Sequence, residues 1–156
     1  MNATELFFDT IRKGFNDRLV AQIENNPEIV NAKDARGFTP LIFATYFDNK
    51  EASEILLKYN AEVDVKDASG NTALIGVSFK GNMAIAELLL NNGADINARN
   101  NADVTPLIFA TMYQQEEMVK FLLNKGADKS LKDNTGKTAL LYAEVKSFQK
   151  IATLLK

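Results

Sequence analysis

Histidine, cysteine and tryptophan are all missing from this 156-residue chain, and proline occurs only three times. Without histidine the chain lacks the commonest general base, the commonest metal ligand and the one side chain that ordinarily titrates near neutrality. Nucleophiles activated by an imidazole, Ser–His or Cys–His, are therefore excluded. Without cysteine there are no disulfides, no thiol catalysis and no thiolate metal site, a composition compatible with a reducing compartment. Charge of one sign is also scarce: the net charge is −2 and the isoelectric point about 5.2. A nucleic-acid groove or an anionic membrane surface would need clustered Lys and Arg, so neither partner is expected. No run of residues approaches the roughly 20 apolar positions of a membrane-spanning helix. The start, Met1 to Asp9, has neither the basic opening nor the apolar stretch of a secretory signal. These absences predict a cytoplasmic protein that uses no metal or cofactor.

What is present is repetition. Thr-Pro-Leu-Ile-Phe-Ala-Thr stands at 39–45 and again at 105–111. Midway, 33 residues from each, lies Thr-Ala-Leu-Ile-Gly-Val-Ser at 72–78, and a further 33 on comes Thr-Ala-Leu-Leu-Tyr-Ala-Glu at 138–144. A fixed period of this length is the mark of stacked structural repeats. On that period the chain divides into units 34–66, 67–99 and 100–132, a shortened unit 133–156 and an atypical first unit 1–33. Their net charges are −1, −2, −1, 0 and +2 in chain order of 1–33 to 133–156, too slight a gradient to define a charged face. The end units carry charged and polar residues where inner units are apolar, as the termini of a stack must, which predicts a complete array of five units in one domain, residues 1–156.

The recurring columns have physical reasons. Units open on Asp34, Asp67, Asn100 and Asp133, followed three residues later by Gly37, Gly70, Asp103 and Gly136. Thr39, Thr72, Thr105 and Thr138 precede Pro40, Ala73, Pro106 and Ala139. Threonine there caps a helix, and proline or alanine at the first helical position costs nothing. Late apolar runs, such as Leu88-Leu89-Leu90, make a second helix, which Gly93 or Gly126 ends in a left-handed cap. Asn60 holds that column in unit 34–66. Leu56, Leu89 and Leu122 are the expected core.

Asp-x-x-Gly-x-Thr-Pro-Leu, followed later by Leu-Leu-Leu-x-x-Gly-Ala-Asp-Ile-Asn-Ala as at 88–98, resembles the ankyrin repeat. The resemblance runs from about residue 5 to 156. It implies an all-α solenoid of helix-turn-helix units joined by hairpin turns. It also implies a non-catalytic module, monomeric when alone, that binds another protein on its concave side. The family usually places histidine after Thr-Pro-Leu; here that column holds Ile42, Ile75, Ile108 and Leu141, so it must act by apolar packing.

Several features imitate chemistry. Asn134-Thr135-Gly136-Lys137-Thr138 ends like a phosphate-binding loop, but Leu131 stands where that motif needs its first glycine. The repeat's own turn and helix cap explain it better. Glu116 and Glu117 are sequence neighbours that point apart on a helix. Lys33, Lys66, Arg99 and Lys132 form a basic column, each beside Asp34, Asp67, Asn100 or Asp133, and read as a solvated edge.

The strongest candidate surface is the hairpin tips with the ends of the first helices: Arg36, Phe38, Tyr46, Phe47, Asn71, Phe79, Lys80, Val104, Met112, Tyr113 and Lys137. Aromatic residues and Met are enriched at interface centres. In this expectation the apolar residues anchor a partner, while Arg36, Lys80 and Lys137 set charge preference. A dedicated inhibitor or permanent subunit, masking one enzyme or toxin, is the alternative within the same surface.

Overall fold

The computed structural model describes all residues, 1–156, and its regular structure is entirely helical. In order the helices are α1 (Ala3–Lys13), α2 (Asn16–Asn25), α3 (Pro40–Tyr46), α4 (Lys50–Lys58), α5 (Ala73–Lys80), α6 (Met83–Asn91), α7 (Pro106–Met112), α8 (Glu116–Asn124), α9 (Ala139–Val145) and α10 (Gln149–Leu155). A short 3-10 turn, Pro27–Asn31, follows α2. The odd-numbered helices pack side by side as one inner row, from α1 through α3, α5 and α7 to α9. Each even-numbered helix lies behind its partner, and no helix is long and apolar enough to cross a membrane.

The inner helices start where the threonines place them. Thr39, Thr72, Thr105 and Thr138 accept from the amides of Ile42, Ile75, Ile108 and Leu141 at 3.2–3.3 Å. The residues opening each unit build the hairpins by a single device. One side-chain oxygen of Asp34, Asp67, Asn100 and Asp133 accepts two amides of its own turn, two and four residues on, at 2.9–3.1 Å. These side chains therefore have a structural role in the turns, and the three aspartates keep their charge beside the basic column. Of that column, Lys66 donates to the Arg99 carbonyl at 2.8 Å.

Gly70 shows why the turns use glycine. Its φ is +80°, and a Cβ there would sit 2.7 Å from the backbone nitrogen of Asn101, which itself donates to the Ser69 carbonyl. Glycine meets this demand without strain, whereas Asp103 takes the same left-handed conformation at φ +58° beside the matching bond from Asn134 to the Ala102 carbonyl.

One apolar core runs the length of the stack, from Phe7 to Leu155. Leu56, Leu89 and Leu122 are wholly buried, as expected from the triplets. In the column where the family carries histidine, Ile42, Ile75 and Ile108 are buried and Leu141, in the last unit, is exposed. Apolar packing thus replaces imidazole hydrogen bonds wherever a following unit exists to pack against.

Candidate functional site

The inner row presents its free face between the hairpin tips and the C-terminal ends of α3, α5 and α7. There the structure gathers two aromatic clusters. In the first, Phe8 meets Phe43 at 5.1 Å between ring centroids, Phe43 meets Phe47 at 4.7 Å, and Phe47 meets Tyr46 at 5.3 Å. In the second, Phe79 meets Tyr113 edge-to-face at 4.5 Å, and Phe109 lies 5.9 Å from Phe79 and 5.3 Å from Tyr113. Such pairs brace one another by quadrupole attraction. Tyr46, Phe47 and Tyr113 nonetheless remain 51%, 46% and 49% exposed. Between the clusters lies a groove of about 330 Å³, with Ile42, Gly76 and Phe109 among its walls and Asp67, Ser69 and Asn71 at its hairpin side.

The charged candidates are held rather than free. Lys80 donates to the Tyr46 carbonyl and to Asp48 at 3.0 Å, and its ammonium lies 4.9 Å from the Tyr46 ring centre. Burial alone would raise the Asp48 carboxyl, but hydrogen bonds from Asn82 and Lys80 outweigh it and hold it below the ordinary range. Lys80 therefore bridges two units and is a poor selector of partner charge. Arg36 is bound to Asp34 at 2.7 Å and covers the Phe38 ring at 4.4 Å. Lys137 stacks over Tyr142 at 5.4 Å. Asn71 accepts from the Asn100 amide group at 3.0 Å.

Two expectations need correction. Val104 is buried, 6% exposed, and packs into the core, whereas Phe38, Asn71 and Lys137 of the same column stay partly exposed. It offers no surface. Met112 is half-buried and packs against the same core, so the column Tyr46, Phe79, Met112 is not a uniform surface row. Phe79 is half-buried too, and its ring supports Tyr113. Phe38 is likewise half-buried, packed on the core.

Other residues of the same face escaped the sequence reading. Phe43 and Phe109, inside the Thr-Pro-Leu-Ile-Phe repeats, join the clusters rather than the core alone. Asn49, Asn82 and Gln115 reach back to the preceding unit, donating to the Ile11 carbonyl, Asp48 and the Phe79 carbonyl at 3.2, 3.0 and 2.9 Å. Asn49 and Asn82 also cap α4 and α6. Their 33-residue spacing just before each outer helix was the available signal.

No three carboxylates converge as a ligand set. The inner helices and hairpin turns form one continuous face, and this arrangement defines a helical solenoid. A family model described as Ankyrin repeats (3 copies) matches residues 8–100 and 77–156. The chain belongs to the ankyrin repeat family, whose members are generally protein–protein interaction modules and typically not catalysts.

Proposed function

We propose that this chain is a non-catalytic binding module that takes a partner protein on its inner face, around Tyr46, Phe47, Phe79 and Tyr113. The observation that carries this reading is the half-exposure of three large aromatic rings, two at the C-terminal end of α3 and one at that of α7, each held by ring contacts. Large apolar side chains grouped on a surface mark interaction sites. A face already fixed by a stacked core loses little conformational freedom on docking, so more of the contact energy is retained as affinity. Residues 1–156 act as one domain in this reading, monomeric until partnered, in the cytoplasm that the cysteine-free composition suits.

The test is parallel affinity capture from the native cell extract with three baits: the natural chain, Tyr46→Ala combined with Tyr113→Ala, and Lys58→Ala on the exposed side of α4. A specific partner should be retained by the first and third baits and lost from the second. A partner retained by the double variant would place the interface on another face.

A further inference from the structure

The units 67–99 and 133–156 differ at one point of the groove. In the last unit Tyr142 occupies the inner-helix column that also holds Phe43, Gly76 and Phe109, at 33-residue steps. Its hydroxyl donates to the second carboxylate oxygen of Asp133, while the first oxygen accepts the turn amides of Thr135 and Lys137. Asp67 makes the same turn: its first oxygen accepts the amides of Ser69 and Asn71, both at 2.9 Å. Its second oxygen accepts no hydrogen bond from the protein and stands open to solvent. The ring that would reach it is missing, because Gly76 stands where Tyr142 does. A Cβ built on Gly76 meets nothing within 4 Å.

The other units close this position differently. Asp34 gives its second oxygen to Arg36 at 2.7 Å, and Phe43 fills the ring column. Asn100 donates its amide to Asn71 at 3.0 Å, and Phe109 fills the column. Among the four turn heads, only Asp67 combines an unbonded carboxylate oxygen with an absent ring. The resulting socket is the groove of about 330 Å³ between the two aromatic clusters, within the roughly 300–1,000 Å³ range of ligand-sized clefts.

We propose that this socket receives a tyrosine side chain from the partner protein, its ring between the aromatic walls and its hydroxyl donating to Asp67. The Tyr142–Asp133 pair in the same chain is the template for that contact. The carboxylate oxygen that no protein group holds is available to a donor, and the aromatic and apolar walls (Ile42, Phe79, Phe109, Tyr113) suit a ring. Arginine suits the carboxylate, but in this chain Arg36 makes that contact from the turn position of Ser69, not from the ring column.

This deepens the inner-face reading and rests on it, so the test uses the isolated protein. N-acetyl-tyrosinamide, N-acetyl-phenylalaninamide and N-acetyl-argininamide are titrated separately and followed by amide chemical shifts. Tyrosinamide should move Asp67, Ser69, Asn71 and Gly76 saturably, with a several-fold lower Kd than either other probe. Asp67→Asn should erase its advantage over phenylalaninamide, and the natural Asn100 shows that asparagine supports this turn. Gly76→Phe should abolish both. Independently, Gly76→Tyr should raise the Tm more than Gly76→Phe, and that difference should vanish beside Asp67→Asn. Equal binding of the three probes, no saturable shift, or equal Tm for the Tyr and Phe substitutions would each overturn the proposal. A partner that still needs Tyr46 and Tyr113 after such a result leaves the broader reading standing. Selection of tyrosinamide without partner loss in the double variant would do the reverse.

Discussion

The units 67–99 and 133–156 share one frame and use it differently. In the middle unit every core position has a neighbour on both sides: Leu74, Ile75, Val77 and Leu89 are all wholly buried. In the last unit the same columns lack a following neighbour: Leu141 is 41% exposed and Leu140 half-buried, while Ala143 and Leu155 stay buried against the preceding unit. The inner face shows the opposite contrast. There the last unit is filled, with Tyr142 closing over Asp133, and the middle unit is open at Gly76. Packing thus dictates the columns between units, whereas the inner-face columns vary without disturbing the stack.

That contrast is sharpened first in the core. Leu89→Ala should cost about 2–5 kcal/mol, through lost transfer energy and the cavity left behind. Leu155→Ala, in the same column, should cost less than half as much, because an end unit has one neighbour and opens more readily. Urea denaturation midpoints measure both, and equal costs would break the comparison.

The closed turn of the last unit comes next. Tyr142→Phe should cost about 1–2 kcal/mol, because it leaves a buried carboxylate oxygen without its donor. Burial alone would raise the Asp133 carboxyl. The hydrogen bonds from Tyr142, Thr135 and the turn amides outweigh it and lower it to about 2. The folded value therefore lies below the unfolded value of about 3.9. The stabilisation is present above about pH 4 and is lost as the pH falls toward 2. Denaturation midpoints measured across that window should fall for the natural chain and fall less steeply for Tyr142→Phe. Parallel slopes would show that the tyrosine is not what holds the ionised form.

The smallest effect concerns the turns between paired helices. Gly81 has φ +80°, and Asp48, Gln114 and Ser147 adopt the same left-handed conformation at +57°, +58° and +60°. Left-handed backbone strains any residue with a Cβ by about 1–2 kcal/mol. Glycine also gives back part of that relief through its freer unfolded chain. Gln114→Gly should thus stabilise by up to about 1 kcal/mol. Asp48→Gly should not, because it removes the bonds to Lys80 and Asn82. A matching gain at both positions would mean the Lys80 bridge contributes nothing.

The helix pairs, their caps and the buried leucines were legible because a 33-residue period repeats each demand on the backbone several times over. The left-handed turn at Gln114 was legible for the same reason: its column contains Gly81. The site was less so. Val104 reads as a surface residue by its place near the hairpin tip, yet its side chain packs into the core. Phe43 and Phe109 sit inside the helical repeat and carry no separate signal, yet their rings join the inner-face clusters. Lys80 reads as a free charge, and only the distance across units reveals its bond to Asp48. Period and propensity fix which residues share a column. Which way a side chain leans, and whether a neighbouring unit claims it, depends on contacts at sequence separations of about thirty residues that no local pattern records.

The central claim is that the partner seats on the inner face. Amide hydrogen exchange of the chain, alone and bound to its captured partner, tests it most directly. The account predicts new protection in the segments 38–47, 67–80 and 104–113, with the outer helices α4, α6 and α8 unchanged. Protection confined to those outer helices, or to the edge marked by Lys33, Lys66, Arg99 and Lys132, would contradict it.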